Sequence, residues 1–358
     1  MKTKRLLKAG RLTSVLLVLS FFMLFAGCQK DFNVKPDYNT QKEATVATTY
    51  DFNLNSSFLS TTKTGMPAVA INNNDQVVQV ADNGDGGISY QTGIINADGL
   101  VNWNGAISYD SQGNDPYVAI NDNKTVVEIN YVSGGFLGSG DHLIYHVGKL
   151  SADNKTISFG EGQNFDHGVN PKIAINNNNI VIEVHKSQSN FGLWYHVGIV
   201  DPNSGTIKWG KGMSYDNAGV FPAIALNNNN KVIEVHQSSI GGNLYYRAGS
   251  VDLNTMTLKW GGCYKYQTGT EPDITLMDNN WFFEVHRTQK PFSNDLWHLS
   301  GMIRGEAPHT LMYLMGNGKK FSSGISPVIA GNNNKKMVLS YDDGQGKIYG
   351  GKIVIVPM

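Results

Sequence analysis

Cysteine is scarce in this sequence of 358 residues, which contains two, Cys28 and Cys263. A single pair excludes a disulfide-rich scaffold, so the fold must be stabilised by a hydrophobic core. Charge is also low, because 29 basic residues balance 29 acidic ones and charged residues make up 16% of the chain. Without a basic excess the chain lacks the electrostatic footprint of nucleic-acid-binding proteins, and we expect no nucleic-acid partner.

The 3.6-residue apolar period of an amphipathic helix is missing from the chain after residue 27, which predicts almost no helix. What the sequence has instead is short runs of five to eight residues that are rich in Val, Ile, Tyr and Trp. Asn, Asp and Gly separate these runs and take the positive φ angles of tight hairpin turns. The composition therefore predicts an all-β protein.

The N-terminal segment has the pattern of an export signal. Basic residues at positions 2, 4, 5, 8 and 11 precede an almost wholly apolar run over residues 12–25. This run is too short for a spanning helix but suits a signal peptide. Ala26-Gly27-Cys28 resembles the bacterial lipobox, which implies cleavage before Cys28 and lipidation of that cysteine. The following QKDF resembles the surface-export tag of Bacteroidetes lipoproteins, which implies a lipid-anchored protein on the outer membrane, exposed at the cell surface.

The chain accordingly divides into a lipoprotein signal peptide at residues 1–27, a polar tether at 28–48 and one folded domain at 49–358. Removing the signal leaves 24 basic and 29 acidic residues, a net charge of −5. This balance gives no polybasic attraction to anionic lipid, so we expect the lipid anchor alone to hold the protein on the membrane. If Cys28 carries lipid, the fold is built without a disulfide.

A repeat of about 50 residues organises the domain. A proline begins each of six units, at Pro67, Pro116, Pro171, Pro222, Pro272 and Pro327. Each unit continues with an apolar run, an Asn-rich turn, a second run such as VIEVH, a third such as LWYHVGIV and a fourth such as TIKWGKGMSYD. Four short antiparallel strands per unit at this period are typical of propeller blades.

The sixth unit ends before its fourth strand. The residues around Tyr50–Ser60 occupy the place before Pro67 that a fourth strand occupies before the later prolines, and we expect them to pair with the last unit. The prediction is a six-bladed β-propeller whose last blade is closed by an N-terminal strand. Closure removes the free sheet edges that favour aggregation.

A glutamate and a histidine two positions apart recur on the second strand of three units. Residues two apart in a strand share a face and lie about 6 to 7 Å from each other. The same three units carry a large aromatic residue at one equivalent position of the third strand. The candidate ligand-binding residues are therefore Glu183, His185, Trp194, Glu234, His236, Tyr245, Glu284, His286 and Trp297.

Three interpretations of these residues remain open. They are structural if buried between sheets and hydrogen-bonded to repeated partners. They form a sugar pocket if carboxylate, imidazole and aromatic ring converge on one rim. They are metal-binding or catalytic if the three histidines meet, but the histidines lie on different units, and we expect no metal, cofactor or catalytic residue. Structural partners would come from the third strands, Tyr145, Tyr195 and Tyr246, or from the fourth, Tyr109-Asp110, Phe165-Asp166 and Tyr215-Asp216.

The repeat VVEVHxS…LWYxVGxV…TIxWGxSxxYDxGxxPSIALN resembles bacterial lectin-like repeat proteins and regions attached to some bacterial phosphatidylinositol-specific phospholipases C. Residues 171–216 and 222–267 match it well. The similarity spans nearly the whole mature chain and leaves no room for the phospholipase barrel, so it implies the accessory propeller and not the enzyme. The segment DPNSGTIKWG is similar to the aspartate box of sialidase propellers, where that turn is structural.

From these observations we predict a monomeric, surface-anchored lipoprotein whose lectin-like propeller binds a glycan or glycoconjugate without turning it over. Two alternatives stay open: a glycoside hydrolase or lyase with its site at the propeller axis, and a scaffold that binds a partner protein. The longer loops at residues 131–141 and 288–295 break the repeat, and loops on a rigid scaffold often carry function.

Overall fold

Each proline-led repeat folds into an antiparallel sheet. The computed structural model describes residues 48–59, 67–83, 86–134, 141–289, 293–315, 317–343 and 347–357, with backbone alone described for 48–59 and 347–357. The predicted signal peptide, Cys28 and almost all of the predicted tether lie outside these residues, as do parts of the two longer loops. No described residue belongs to a helix of the length and apolar character that crossing a membrane requires.

In the part of the chain that the structure describes, strand pairing groups 28 strands into six sheets. Sheet I contains β2 (Ala68–Ile71), β3 (Gln76–Asp82), β4 (Ile88–Ile95), β5 (Val101–Trp103) and β6 (Ile107–Asp110). Sheet II contains β7 (Asn114–Ile120), β8 (Thr125–Val132), β9 (His142–Leu150), β10 (Ile157–Phe159) and β11 (Gln163–Asp166). Sheet III contains β12 (Val169–Ile175), β13 (Ile180–Lys186), β14 (Leu193–Asp201), β15 (Thr206–Trp209) and β16 (Met213–Asp216).

Sheets IV to VI follow the same order of strands. Sheet IV contains β17 (Gly219–Leu226), β18 (Lys231–Ser238), β19 (Asn243–Asp252) and β20 (Thr257–Thr268). Sheet V contains β21 (Thr270–Leu276), β22 (Trp281–Arg287), β23 (Asp295–Arg304), β24 (Leu311–Leu314) and β25 (Lys319–Ser323). Sheet VI joins β26 (Ile325–Gly331), β27 (Lys336–Asp342) and β28 (Lys347–Pro357) to β1 (Thr48–Leu59).

The first strand of each unit lies innermost. Neighbouring first strands contact one another in the order β2, β7, β12, β17, β21 and β26, and β26 contacts β2 again. The sheets therefore surround an axis, and together with the structural comparisons below this confirms the predicted all-β propeller. The N-terminal strand β1 pairs antiparallel with β28 from Thr48 opposite Pro357 to Leu59 opposite Lys347.

The predicted fourth strand is continuous in sheet IV but divided into two short strands in sheets I, II, III and V. In sheets II and III the interruption falls at the glycine-containing segments 160–162 and 210–212. In sheet III the Gly210 N–H donates to Val197 O at 2.7 Å, and pairing with β14 resumes at Met213. The sequence pattern of one strand therefore corresponds to two strands separated by a local bend.

The two ends of the axis differ in structure. Asn-rich turns after the first strands form the turn face, at residues 72–75, 121–124, 176–179, 227–230, 277–280 and 332–335. The opposite loop face carries the connections from second to third strands and the residues before the repeat prolines. Each turn ends in a left-handed residue with φ between 60° and 66°, as at Asn179 and Asn230.

Side-chain amides join the turns to one another around the axis. The Asn121 Nδ2 donates to Asn176 O at 3.1 Å, and the Asn332 Nδ2 donates to Asn72 O at 2.9 Å. At the next turn position, six backbone N–H groups each donate to the side-chain oxygen of the following turn, at Asn73, Asp122, Asn177, Asn228, Asp278 and Asn333. The asparagines that mark the repeat in the sequence therefore connect neighbouring sheets as well as forming turns.

Candidate functional site

The Glu-Val-His segments lie between the sheets and not on an open rim. Glu183 and His185 are 0% and 1% exposed, and the equivalent residues Glu234, His236, Glu284 and His286 are also buried. Strand alternation places the pair on one face, and His185 Nδ1 lies 3.0 Å from Glu183 Oε1. Because a carboxylate only accepts hydrogen bonds, the Nδ1–H donates. The same contact measures 3.0 Å at His236 and 3.0 Å at His286.

The aromatic residues of the three units are the cross-strand partners of these histidines. His185 is paired with Trp194, His236 with Tyr245, and His286 with Trp297. The His236 and Tyr245 rings are stacked with centroids 5.9 Å apart. Trp194 and Trp297 are partly exposed, whereas Tyr245 is buried. Pairing on the sheet therefore accounts for their occurrence in the same three units.

Tyrosines of the preceding sheet complete the buried network. The Tyr215 hydroxyl donates to Glu234 Oε1 at 2.8 Å, and the Tyr266 hydroxyl donates to Glu284 Oε1 at 2.8 Å. Burial, followed by the charge of Glu234, raises the pKa of Tyr215 well above its usual value. Phe165 replaces the tyrosine beside Glu183 and has no hydroxyl to donate.

The third-strand tyrosines have a different role from the one considered in the sequence analysis. The Tyr145 hydroxyl accepts from Ile207 N at 3.1 Å and the Tyr195 hydroxyl accepts from Leu258 N at 3.1 Å. They bind the backbone of the next sheet and not the Glu-His pairs. These tyrosines therefore connect neighbouring sheets through contacts separate from those of the Glu-His pairs.

Sequence reasoning missed the partners that the third strands supply. His146 Nδ1 lies 2.9 Å from Glu128 Oε2, and His146 Nε2 lies 3.3 Å from Asp110 Oδ2. In sheet III, His196 Nε2 lies 2.7 Å from Asp166 Oδ2. The sequence contained the signal, because His146 and His196 are the fourth residues of the repeated segments LIYHVG and LWYHVG. Strand pairing places each of them directly opposite a glutamate.

These contacts favour the protonated form of the histidines. Burial lowers the pKa of His146, but the hydrogen bond and charge of Glu128 outweigh it, and the pKa is raised overall. The pKa of His196 is raised in the same way against burial, with Asp166 as the main partner. The pKa of His236 is raised against burial by the charge of Glu234. This geometry favours the structural interpretation of the Glu-Val-His segments.

One group of potential metal ligands occurs in the described residues. Ligand atoms of Asp216, His236 and Cys263 lie within 4.8 Å of one another. Asp216 Oδ2 also lies 3.7 Å from Arg247 Nη2, and His236 is bonded to Glu234. Cys263 is disulfide-bonded and has no thiolate to offer a metal. A neighbouring guanidinium also opposes cation binding, so we interpret this group as part of the buried network.

An open groove lies at the boundary of sheets I and II. It has a volume of about 800 Å³, and Tyr109, Phe159, Ile107 and Ile144 form its apolar wall. The Tyr109 and Phe159 rings are stacked with centroids 4.4 Å apart. Asp110, Gln112 and Glu161 supply polar groups at its edge, and the buried His146 lies behind Asp110.

Side-chain size explains why this boundary is open. Phe159 is the last residue of the short strand β10, Ile-Ser-Phe, and the equivalent positions in sheets III and IV are Trp209 and Trp260. Trp209 is stacked on Phe165 with centroids 5.0 Å apart and so covers the corresponding boundary of sheets II and III. A phenyl ring in place of an indole leaves space in the first boundary.

Comparisons with known proteins address the fold. No protein-family model matches the chain, and no curated protein matches it. A solved protein from Lactobacillus plantarum is 14% identical, with a TM-score of 0.50 over 84% of this chain and 85% of that one. The NanB sialidase of Streptococcus pneumoniae is 10% identical, with a TM-score of 0.53 over 85% and 70%. The α-L-arabinanase of Penicillium chrysogenum, solved with arabinobiose, is 12% identical, with a TM-score of 0.54 over 86% and 98%. At these identities the likeness concerns the fold alone, the β-propeller.

Proposed function

We propose that this protein is a carbohydrate-binding propeller whose sugar site is the groove between sheets I and II. The observation that carries the proposal is the combination of an apolar aromatic wall, Tyr109 and Phe159, with the carboxylates of Asp110 and Glu161 at its edge. Sugars offer a C–H face to aromatic rings and hydroxyls to carboxylates and amides. The names of two similar folds, a sialidase and an arabinanase, support a carbohydrate ligand.

The groove replaces the rim pocket that the Glu-Val-His segments predicted. Those nine residues are buried or partly buried in the network, whereas Gln112 and Glu161 are exposed at the groove. The groove occurs where the repeat departs from its pattern, since the second strands of sheets I and II carry Gln79 and Glu128–Asn130 in place of Glu-Val-His. We therefore propose one distinct site and not three equal ones.

The protein further acts, in this proposal, as a monomeric lipoprotein anchored through Cys28 and displayed on the outer surface. We propose that the six sheets are six blades of one closed ring in this protein. Support comes from the cyclic contacts of the six first strands and from the turn hydrogen bonds that run from residues 332–334 to residues 72–75. The resemblance to lectin-like repeats of phospholipase-associated proteins supports a binding role without catalysis.

A glycan array followed by calorimetry tests the sugar site. Phe159→Trp introduces the indole present at Trp209 and Trp260, and we expect it to fill the groove and weaken binding of array hits at least about tenfold. Asp110→Asn should weaken the same hits. Trp209→Phe, the reverse change at the next boundary, is the matched control and should leave affinity unchanged.

Several outcomes would contradict the proposal. Absence of glycan binding, or unchanged affinity in Phe159→Trp with an unchanged melting temperature, removes the groove as the site. Release of reducing ends from a bound glycan identifies a hydrolase or lyase instead. Acyl labelling that persists in Cys28→Ala rules out Cys28 as the anchor.

A further inference from the structure

The residues before the repeat prolines form an unusual ring at the loop face. Asp115, Asn170, Phe221, Glu271 and Ser326 each precede a repeat proline and have φ between 46° and 53°. This left-handed conformation is unfavourable for non-glycine residues. Each lies where the register of the first and second strands shifts by a bulge, as between Asn114 and Tyr117. Such strain persists where the surrounding structure fixes it and often marks a ligand site.

These residues line a cavity at the axial mouth. Its volume is about 270 Å³, and side chains of sheets II to VI reach it together with Ala68 of sheet I. Prolines form much of its wall, which leaves few polar groups to determine what binds. Those groups are Asp115, Asn170, Lys172, Glu271 and Ser326.

Lys172 is the cation that the cavity presents. Its Nζ lies 4.0 Å from the centroid of the Tyr117 ring, and no described carboxylate oxygen lies within ion-pair distance of it. Burial lowers the pKa of Lys172, although the charges of Asp273, Asp115 and Glu271 oppose that shift. An ammonium group has three donors, and the ring face satisfies none of them by an ordinary hydrogen bond. A ligand in the cavity would supply the acceptors.

The other charged groups differ in what they can offer. Glu271 is held by Arg287, with contacts of 2.6 Å and 3.1 Å, and also accepts from Ser326 N at 2.8 Å. Asp115 accepts from Asn170 Nδ2 at 3.1 Å through Oδ2, and its Oδ1 accepts from no described residue. Asp115 therefore has acceptor capacity left for a ligand that donates.

Behind the cavity, the Tyr117 ring is fixed in place. Its hydroxyl donates to Asp273 Oδ1 at 3.0 Å, and Ile329 N donates to Asp273 Oδ2 at 2.7 Å. Tyr117 and Asp273 are buried, and their contacts join sheets II, V and VI. The ring that supports Lys172 is thus a rigid part of the fold, and the ammonium position is organised in advance.

From this geometry we propose a second ligand site, in which a neutral polyhydroxylated molecule the size of one monosaccharide binds between the Lys172 ammonium and the Asp115 carboxylate. A hydroxyl group both accepts and donates, so one ligand satisfies both residues. An anion would face the carboxylates of Asp115 and Glu271, and a cation would face the Lys172 ammonium. This site shares no residue with the groove of sheets I and II and does not depend on it.

Saturation-transfer NMR with free monosaccharides and inositol at about 50 mM tests this site on the full chain. We expect binding that Lys172→Met and Asp115→Asn each weaken at least about tenfold, because each removes a charged hydrogen-bonding group. Lys208→Met, at an exposed lysine of sheet III, should have no effect. Phe159→Trp should also have no effect, which separates the two sites.

A second measurement avoids the variants. Acetylation of wild-type lysines is followed by mass spectrometry with and without the same polyols, and Lys172 should be protected while Lys208 is not. Lack of protection together with lack of binding overturns the proposal. Binding of amino acids, simple carboxylates or polyamines in preference to neutral polyols overturns the assigned ligand class.

Discussion

The buried polar side chain at one position of the second strand finds different hydrogen-bond partners in different sheets. Glu234 receives a tyrosine hydroxyl from the preceding sheet, whereas Glu183 has Phe165 at that place and relies on His185. In sheet I the same pair of strands carries Gln79 hydrogen-bonded to Gln91. Each solution leaves a buried polar group paired, which is what burial requires.

The sequence could predict that Glu183 and His185 share a face, because strand alternation follows from the chain alone. It could not show whether that face is open or covered, since this depends on the neighbouring sheet. It named tyrosines of the third and of the fourth strands as possible partners, and the contact is made by the fourth strands, through Tyr215 and Tyr266. Lys172 and Asp115 were missed because their proximity arises only when the units surround an axis.

Asp273 makes stability depend on pH. Burial raises its pKa from 3.8 to about 6. The folded state therefore binds a proton that the unfolded state releases between these values, so this group's contribution falls as pH rises from about 4 to 6, by about 3 kcal/mol. Urea unfolding across this range should show that decline in the wild type and lose it in Asp273→Asn.

His146, His196 and His236, whose pKa values are raised, affect stability at higher pH. Their contribution to the free energy of unfolding is complete below about pH 6.5, the pKa of an unfolded histidine, and is lost as the pH rises through the raised pKa of the folded state. Above about pH 6.5 the free energy of unfolding should therefore fall in parallel in the wild type and in Asp273→Asn. Glu306→Gln, at an exposed carboxylate, is the control and should keep the wild-type slope. An unchanged slope between pH 4 and 6 in Asp273→Asn would contradict the raised pKa.

At the scale of strands and turns, the repeat could be predicted from the sequence because every unit has the same order of apolar runs and asparagine-rich turns. Val- and Ile-rich runs become strands, and the asparagine clusters become turns that end in a left-handed residue. The sequence could not predict that the fourth strand is divided in two, because Gly-Lys-Gly at 210–212 is equally compatible with a continuous strand. Sheet IV illustrates this, since β20 passes through Gly261 and Gly262 without interruption.

The turn asparagines should contribute strongly to stability. Asn176 accepts from Asn178 N and Ile180 N and donates to Asn227 O and Asn230 Oδ1. Asn176→Ala removes all four contacts, and we expect it to lower the free energy of unfolding by about 2 to 4 kcal/mol. Chemical denaturation measures this directly.

Asn178→Ala provides the matched control two residues away. Asn178 is exposed, and its substitution should change the free energy of unfolding by less than about 0.5 kcal/mol. Equal effects of the two substitutions would show that position within the turn, and not the contacts between sheets, determines stability.

For the whole molecule, the pairing of β1 with β28 joins residues about 300 positions apart in the chain. The sequence indicated this pairing from the shortened last unit and the strand-like residues before Pro67. Pairing covers the outer edge of sheet VI, which would otherwise present unpaired N–H and C=O groups.

A chain beginning at residue 61 should therefore self-associate. Without β1 the edge of β28 is exposed, and we expect concentration-dependent oligomers in sedimentation velocity beyond any that the full chain forms. A peptide of residues 48–59 added in excess should suppress them. A truncated chain that stays monomeric and melts at the wild-type temperature would contradict the closing role of β1.

The direction of β1 determines how the molecule is oriented relative to whatever precedes it. Thr48 is paired with Pro357 at the turn face, and the strand runs from there toward the loop face. The chain thus enters the folded domain on the side of the asparagine turns. If residues before Thr48 fasten the protein to a membrane, the Lys172 cavity opens on the far side, toward the medium, where a dissolved ligand arrives first.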